Sequence, residues 1–204
     1  MKPEKITTLF LDIGGVLLTN GWGRDERQNA IDKFGIDKKE MEDRNSLVWS
    51  TYELGKLTLE DYLDYVIFYC ERPFSREEFK SFMFKQSVAL PGGAIEYFKE
   101  LKKEYEFKVI ALSNESRELN DYRIKEYKLN ELFDFYISSC YVGLRKPDHD
   151  IYKLALNTSQ TPAANALYVD DRLPYIEVAN RLGIPALHYQ GLEVAKEYFR
   201  SIGY

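Results

Sequence analysis

Short apolar runs alternate with amphipathic stretches along most of the chain. Five of the runs are rich in Val, Ile, Leu or aromatic residues and have the length of strands that are covered on both faces. They are Thr7–Ile13, Phe107–Ser113, Phe133–Ser138, Ala166–Asp170 and, more weakly, Ala186–Tyr189. Helical patterns stand next to these runs at Gly93–Tyr105, Ser116–Tyr127, Asp148–Asn157 and Pro174–Leu182. This alternation predicts an α/β fold in which helices cover a parallel sheet.

Residues 19–89 interrupt the alternation, because they carry helical patterns only. The four patterns are Asp25–Phe34, Lys38–Leu54, Leu59–Tyr69 and Arg76–Gln86. Surface loops tolerate the insertion of a whole domain, and a helical block after the first strand fits such an insertion. We therefore predict a core formed by residues 1–18 and 90–204 and a small, all-helical cap domain formed by residues 19–89.

Polar residues stand at the carboxyl ends of the predicted strands, where open parallel sheets bind their ligands. They are Asp12 after the first strand, Ser113 and Asn114 after the second, Lys146 after the third, and Asp170 and Asp171 after the fourth. Each of them alone fits an ordinary helix cap, turn or loop. Together they would bring carboxylates, a hydroxyl and an ammonium group to one edge of the sheet, which indicates a functional site.

This set of groups suits Mg²⁺ and a phosphoryl group. Mg²⁺ prefers oxygen ligands and is usually held by one or two carboxylates together with phosphate oxygens. Asp12 could attack phosphorus and form an aspartyl-phosphate. Ser113 and nearby backbone N–H groups could bind the phosphate oxygens, and Lys146 could neutralise their charge.

Four stretches in this order, LFLDIGGVLL, ALSNES, VGLRKPDHDIY and YVDD, resemble the four motifs of the haloacid dehalogenase superfamily. The resemblance covers nearly the whole chain and implies a three-layer, Rossmann-like core with a helical cap inserted after the first motif. The paired acids of the fourth motif resemble those of the bacterial glucose-1-phosphatases and of the N-terminal phosphatase domain of soluble epoxide hydrolases.

The resemblance also implies a role for each motif residue. Asp12 would be the nucleophile, and Lys146 would be the lysine of the third motif. Ser113 and Asn114 would bind the phosphate, together with the backbone at Gly14.

On the metal side, the resemblance implies that Asp12 is a Mg²⁺ ligand. Asp171 would be the more direct ligand of the acidic pair, and Asp170 would help directly or through water. The backbone carbonyl of Gly14 would complete the set, since a glycine can supply it as well as an aspartate can.

Gly14 marks a departure from the family pattern, in which most phosphatases carry a second aspartate at that position. The missing side chain removes a general acid and base, which is typically worth about two to four powers of ten in rate. We therefore expect a small phosphorylated metabolite with an activated leaving group, such as a sugar-1-phosphate.

The cap could supply the substrate contacts. Trp22, Trp49 and Tyr52 could line it, although aromatic residues in small helical domains more often form the core. Glu53 could replace the missing acid, although an exposed glutamate at the end of a helix is the simpler interpretation.

Two other functions remain open at the level of the sequence. A 2-haloacid dehalogenase also uses an aspartate nucleophile, but it needs no metal. The repulsion between the paired acids Asp170 and Asp171 would then have no cation to offset it. A protein that binds a phosphorylated ligand or holds a phosphoaspartate as a regulator would not need the missing acid.

Composition limits the partners. A net charge of −5 argues against nucleic acid, whose phosphates attract basic surfaces. No apolar run reaches the length of a membrane span. Cys70 and Cys140 stand outside any metal-binding or disulfide pattern, so we expect reduced thiols and a cytoplasmic protein.

Overall fold

A five-stranded parallel sheet forms the centre of the structure, a computed structural model that describes residues 5–204. Residues 1–4, the first of the predicted core segment, lie outside the described residues. The strands are β1 (Thr8–Leu11), β2 (Lys108–Ser113), β3 (Phe135–Ser138), β4 (Ala166–Asp170) and β5 (Ala186–His188). They lie in the order β3-β2-β1-β4-β5, and every neighbouring pair is parallel. All five predicted strands are present.

The register of the sheet places the predicted site residues at the ends of β1, β2 and β4 at nearly the same level. Leu11 lies opposite Ala111 of β2 and Val169 of β4. The next residue along β1, Asp12, is therefore level with the ends of its two neighbouring strands. Because the strands are parallel, their carboxyl ends open on the same edge.

Four helices follow β1 and form the helical block of residues 19–89. They are α1 (Arg24–Phe34), α2 (Lys38–Glu53), α3 (Leu59–Val66) and α4 (Arg76–Lys85). The helices α2, α3 and α4 are capped at their N-termini by the side chains of Asp37, Thr58 and Ser75. Each side chain accepts a hydrogen bond from a backbone N–H of the first turn. Trp22 and Phe79 are fully buried in an apolar cluster formed mainly by this helical block.

The two chain crossings between the sheet and the helical block run side by side. Leu18 forms an antiparallel bridge with Ala89, and the N–H of Thr19 donates to the carbonyl of Val88 at 2.9 Å. The hydroxyl of Thr19 also donates to the carbonyl of Gln86 at 2.6 Å. The crossings match the places where the sequence predicts the boundaries of the cap, which itself stays a prediction.

Helices cover both faces of the sheet. They are α5 (Ala94–Tyr105), α6 (Arg117–Glu126), α7 (Ser139–Val142), α8 (His149–Ser159), α9 (Leu173–Arg181) and α10 (Leu192–Ser201). Side chains alternate along β1, so that Leu9 and Leu11 pack with α5 and α10, whereas Phe10 packs with α8 and α9. The three layers confirm the predicted α/β fold.

Two helices were not predicted from the sequence. The single turn α7 is too short to show a periodic pattern. The longer α10 buries Leu192, Ala195 and Phe199, which have the three- and four-residue spacing of an amphipathic helix. No helix among residues 5–204 has the length and apolar character needed to cross a membrane.

Candidate active site

Three carboxylates meet at the carboxyl edge of the sheet. Asp12 follows β1, while Asp170 ends β4 and Asp171 follows it. One oxygen from each lies within 4.8 Å of the others. This approach depends on Gly15, whose φ is 72° and where a Cβ would lie 2.2 Å from Oδ2 of Asp171. A side chain at position 15 would therefore displace Asp171 from the cluster.

Lys146 is the cation at the base of this cluster, and it is 0% exposed. Its Nζ lies 2.6 Å from Oδ2 of Asp170 and 3.0 Å from Oδ2 of Asp12. It also donates to the carbonyl of Leu112 at 3.0 Å. One buried ammonium group thus donates a hydrogen bond to Asp170 and forms an ion pair with Asp12, so it offsets part of their combined negative charge.

Asn114 positions the backbone of Lys146. Its side-chain nitrogen donates to the carbonyl of Lys146 at 2.9 Å, and its side-chain oxygen accepts from the N–H of Lys146 at 2.8 Å. Both polar ends of the amide are therefore occupied by the lysine motif. Asn114 acts on the site through Lys146 as well as through the cavity wall that it helps to form.

The three carboxylates titrate differently. Burial raises the pKa of Asp12 to about 7; the charge of Lys146 opposes this shift, and Asp170 adds to it. Burial and the neighbouring Asp170 also raise the pKa of Asp171. Burial would raise the pKa of Asp170 as well, but Lys146 and a hydrogen bond from Tyr168 hold it below its usual value.

These features fit a divalent cation. The negative charges of Asp12 and Asp171 are unfavourable as they stand, and a bound cation would relieve both. Oδ1 of Asp171 is buried, and no residue in the described part of the chain donates a hydrogen bond to it. Three clustered carboxylate groups are the oxygen ligands that Mg²⁺ prefers.

A buried ion pair links Ser113 to the two chain crossings. The hydroxyl of Ser113 donates to Oε1 of Glu115 at 3.0 Å, and Nη1 of Arg123 contacts the same oxygen at 2.6 Å. Arg123 also donates to Oγ of Ser87 at 2.9 Å and to the carbonyl of Thr19 at 2.8 Å. The guanidinium group of Arg123 thereby connects the residues at the end of β2 to both chain crossings.

Most of the predicted motif residues line one cavity of about 240 Å³, whereas Asp170 and Asp171 do not line it and lie close to Asp12 instead. Its lining includes Asp12, Gly14, Ser113, Asn114 and Lys146. The sheet edge forms one side of this cavity, and the helical block forms the other. The sequence-predicted polar residues are therefore close together in space, as their positions at strand ends require.

Of the four cap residues that the sequence suggested as substrate contacts, three line the cavity and one does not. Trp22, Trp49 and Glu53 line the cavity. Tyr52 does not, because its fully buried ring stacks on Tyr62 in the core of the helical block, with centroids 4.5 Å apart. Glu53 is not the exposed helix-end residue that was the alternative, since only 9% of its side chain is exposed.

Several polar residues at the cavity were not predicted. Arg145 and Arg172 line it next to the predicted Lys146 and Asp171, so their adjacency to the motifs was the available signal. Glu115 follows Asn114 in the same way. Arg27 lines the cavity from α1 and carried no signal, because its role depends on a pair with Glu42 at 2.8 Å.

Solved structures share this fold. The HAD family enzyme bt-2542 from Bacteroides thetaiotaomicron, in its magnesium complex, is 21% identical with a TM-score of 0.83, over 97% of this chain and 100% of that chain. The same enzyme in complex with magnesium and inorganic phosphate has a TM-score of 0.77 at 20% identity, over 89% and 93% of the two chains.

Curated relatives differ in how much of their length this chain spans. Drimenol cyclase drtB from Aspergillus calidoustus is 27% identical over 97% of this chain, which spans only 36% of that protein. Sesquiterpene phosphatase astK from Aspergillus oryzae is 27% identical over 88% of this chain and 87% of that protein. The family model of the haloacid dehalogenase-like hydrolases matches residues 6–183. The chain therefore belongs to the haloacid dehalogenase-like hydrolase family, as its four motifs suggested.

Proposed function

We propose that this hydrolase is a Mg²⁺-dependent phosphatase that cleaves a small phosphate monoester through an aspartyl-phosphate on Asp12. The observation that carries the proposal is the cluster of Asp12, Asp170 and Asp171 with the buried Lys146 at the wall of a polar cavity. The magnesium and phosphate complex of the structural relative and the phosphatase among the curated relatives support it.

In this proposal, Asp12, Asp171 and the carbonyl of Gly14 would hold Mg²⁺, with Asp170 assisting. When bound, Mg²⁺ supplies positive charge that offsets the charge of the phosphoryl oxygens and of the carboxylates. Catalysis of phosphoryl transfer depends mainly on such positioning and electrostatic stabilisation.

Residues of the protein carry out the other steps of the proposed reaction. A carboxylate oxygen of Asp12 forms a bond to phosphorus while the bond from phosphorus to the ester oxygen breaks, and that oxygen leaves as an alkoxide or, with a proton donor, as an alcohol. Lys146 orients Asp12 through its 3.0 Å contact and keeps positive charge beside the reacting oxygens. The hydroxyl of Ser113, once it turns away from Glu115, and nearby backbone N–H groups hold phosphate oxygens. Water then attacks the aspartyl-phosphate and regenerates the carboxylate.

We further propose that residues 19–89 act as a cap over this site. Trp22, Trp49 and Glu53 approach the cavity from this segment, so the leaving group of the substrate would lie against them. A cavity of about 240 Å³ with many charged walls suits a small polar leaving group, such as a sugar, better than a long apolar chain. Sugar phosphates are therefore the proposed substrates, and sugar-1-phosphates have the better leaving group.

The first test is phosphate release with Mg²⁺ from an aryl phosphate, a hexose-1-phosphate and a hexose-6-phosphate. We expect turnover of the aryl phosphate and the hexose-1-phosphate, and its loss when EDTA removes the metal. Turnover of the hexose-6-phosphate should be slower by about two to four powers of ten if no other residue replaces the acid that is missing at Gly14. Turnover of none of the three would contradict the phosphatase proposal, and a metal-independent release of halide from 2-haloacids would then favour a dehalogenase.

The metal site makes a separate prediction at Asp171. Mg²⁺ at a hundred times its dissociation constant should stabilise the wild type by about 2.7 kcal/mol, and Asp171→Asn should lose most of this gain. Without metal the variant should be no less stable at neutral pH. The pKa of Asp171 is raised in the folded chain, so its charge costs stability as the pH rises through that value.

Thermal unfolding with and without Mg²⁺ measures both effects. The exposed Asp43, which pairs with Lys39 on α2, provides the matched control Asp43→Asn. An Asp171→Asn variant that responds to Mg²⁺ as the wild type does would exclude Asp171 as a ligand.

A further inference from the structure

The proposed phosphatase lacks a proton donor at the usual place. Gly14 has no side chain, and the space next to its Cα is partly filled by Asn20, whose Oδ1 would lie 3.1 Å from a Cβ at position 14. An alkoxide leaves phosphorus slowly unless it is protonated as the bond breaks. A donor for an ordinary alcohol must therefore come from another wall of the cavity.

Glu53 is fixed at the cavity by its backbone. It is the last residue of α2, and its carbonyl accepts a hydrogen bond from the hydroxyl of Ser139 at 2.7 Å. The same hydroxyl accepts from the N–H of Glu115 at 2.9 Å. At Gly55, with a φ of 69°, a Cβ would lie 2.3 Å from the carbonyl of Cys140, so α2 ends in close contact with α7. The end of this cap helix is thus held against the core.

The side chain of Glu53 faces the same cavity as Asp12 and Gly14. It is 9% exposed, and its Oε2 lies 2.6 Å from the guanidinium group of Arg145. Arg145 immediately precedes Lys146, so one short segment of the core carries the partners of both Asp12 and Glu53. Glu53 is the carboxyl group that the cap contributes to the wall of the cavity.

We propose that Glu53 is the general acid and base of the reaction, in place of the side chain missing at Gly14. This inference rests on the proposed phosphatase function. In the first half-reaction, the Asp12 oxygen forms a bond to phosphorus, the bond from phosphorus to the ester oxygen breaks, and the carboxyl proton of Glu53 passes to that oxygen. In the second, Glu53 takes a proton from the attacking water, while the bond from phosphorus to Asp12 breaks and phosphate leaves. The proton given in the first step is thereby recovered.

The charges around Glu53 are compatible with both roles. Burial raises its pKa, and Arg145 is the main opposing influence. Glu115 also raises the pKa, whereas Arg172 and Lys146 lower it. A phosphate dianion that enters the cavity adds negative charge beside this group and favours its protonated form further. The carboxyl group can therefore carry a proton when substrate is bound and lose it when the alcohol departs.

The test compares the wild type with Glu53→Gln on two esters, 4-nitrophenyl phosphate and hexose-6-phosphate, in the presence of Mg²⁺. We expect kcat/KM for hexose-6-phosphate to fall by about 10² to 10⁴, whereas kcat/KM for 4-nitrophenyl phosphate should change by less than about threefold, because nitrophenolate leaves without a proton. The kcat for 4-nitrophenyl phosphate should fall, with a burst of one nitrophenol per protein, since water attack has lost its base.

Two further variants separate catalysis from positioning. Arg145→Gln keeps the carboxyl group, so it should change KM without making the rate depend more strongly on the leaving group. Glu60→Gln removes a half-exposed glutamate of α3 that pairs with Arg76 and Lys80 and does not line the cavity, so it should change neither KM nor the dependence of the rate on the leaving group. Melting temperatures show whether each variant is folded.

The outcomes distinguish this inference from the proposed function. Equal loss on both esters in Glu53→Gln, or no loss on either, would overturn the role of Glu53. A wild type that cleaves only the aryl ester would also overturn it, since such a chain has no acid, but it would leave the phosphatase intact. A wild type without Mg²⁺-dependent turnover of either ester would overturn both.

Discussion

Asp12→Asn is expected to lower kcat for phosphate release by roughly five to six powers of ten, the scale on which hydrolases lose activity with their nucleophile. An amide in this position cannot form the aspartyl-phosphate. Phosphate release from an aryl phosphate measures the loss most directly, because this ester needs no proton donor. Asp43→Asn, on the exposed face of α2, is the matched control and should keep full activity. Residual turnover above about a hundredth of the wild-type rate would mean that the reaction does not pass through Asp12.

The same variant should fold at least as well as the wild type in the absence of metal. Burial raises the pKa of Asp12 to about 7 in the folded chain, from 3.8 when unfolded. The contribution of this group to stability is therefore complete below pH 3.8 and is lost as the pH rises through about 7. Chemical unfolding at pH 5 and pH 8 should show a weaker pH dependence in Asp12→Asn than in the wild type.

Lys146→Met should have the largest effect on stability, a loss of about 3–5 kcal/mol in the free energy of unfolding. The methionine keeps most of the apolar stem but leaves Asp12 and Asp170 buried without their cation. Denaturant unfolding of the metal-free protein at neutral pH measures this loss. Phosphate release should be lost as well, because the charge beside the reacting oxygens is gone.

A surface ion pair with the same contact distance offers the comparison. Lys102 lies 2.6 Å from Asp134, but both side chains are partly exposed. Lys102→Met should therefore cost less than about 1 kcal/mol. If Lys146→Met and Lys102→Met lost the same free energy of unfolding, burial would not explain the contribution of Lys146 to stability. Replacing Asp170 by Asn together with Lys146→Met should recover part of the stability.

Much of the fold and of the candidate site was predictable because it depends on local patterns. Continuous apolar runs identified the strands, and polar residues interrupted those runs where each strand ends. Asp12 and Asp170 illustrate this, since each stands next to a buried run and needs no partner to be noticed. The order of the motifs then identified the family, which the family model confirms.

The remaining features depend on pairs that are distant in the chain. The sequence suggested Glu53 as a substitute acid but could not predict its burial, which follows from Arg145 and from the docking of α2 on α7. The contacts of Arg123 with Ser87 and Thr19 likewise exist only after the helical block has returned to the sheet. Tyr52 shows the opposite case, since an aromatic residue next to a cavity residue on the same helix points into the core of the block.

The paired crossings at Thr19 and Val88 have a consequence for how this chain can vary. The helical block leaves and rejoins the rest of the chain at two neighbouring positions, so its length does not alter the spacing of the strands. The entropy of closing such a loop grows only slowly with its length. If residues 19–89 act as the proposed cap, transplanting helices from a relative between these two residues should change substrate preference and leave the strands and their acidic edge the same.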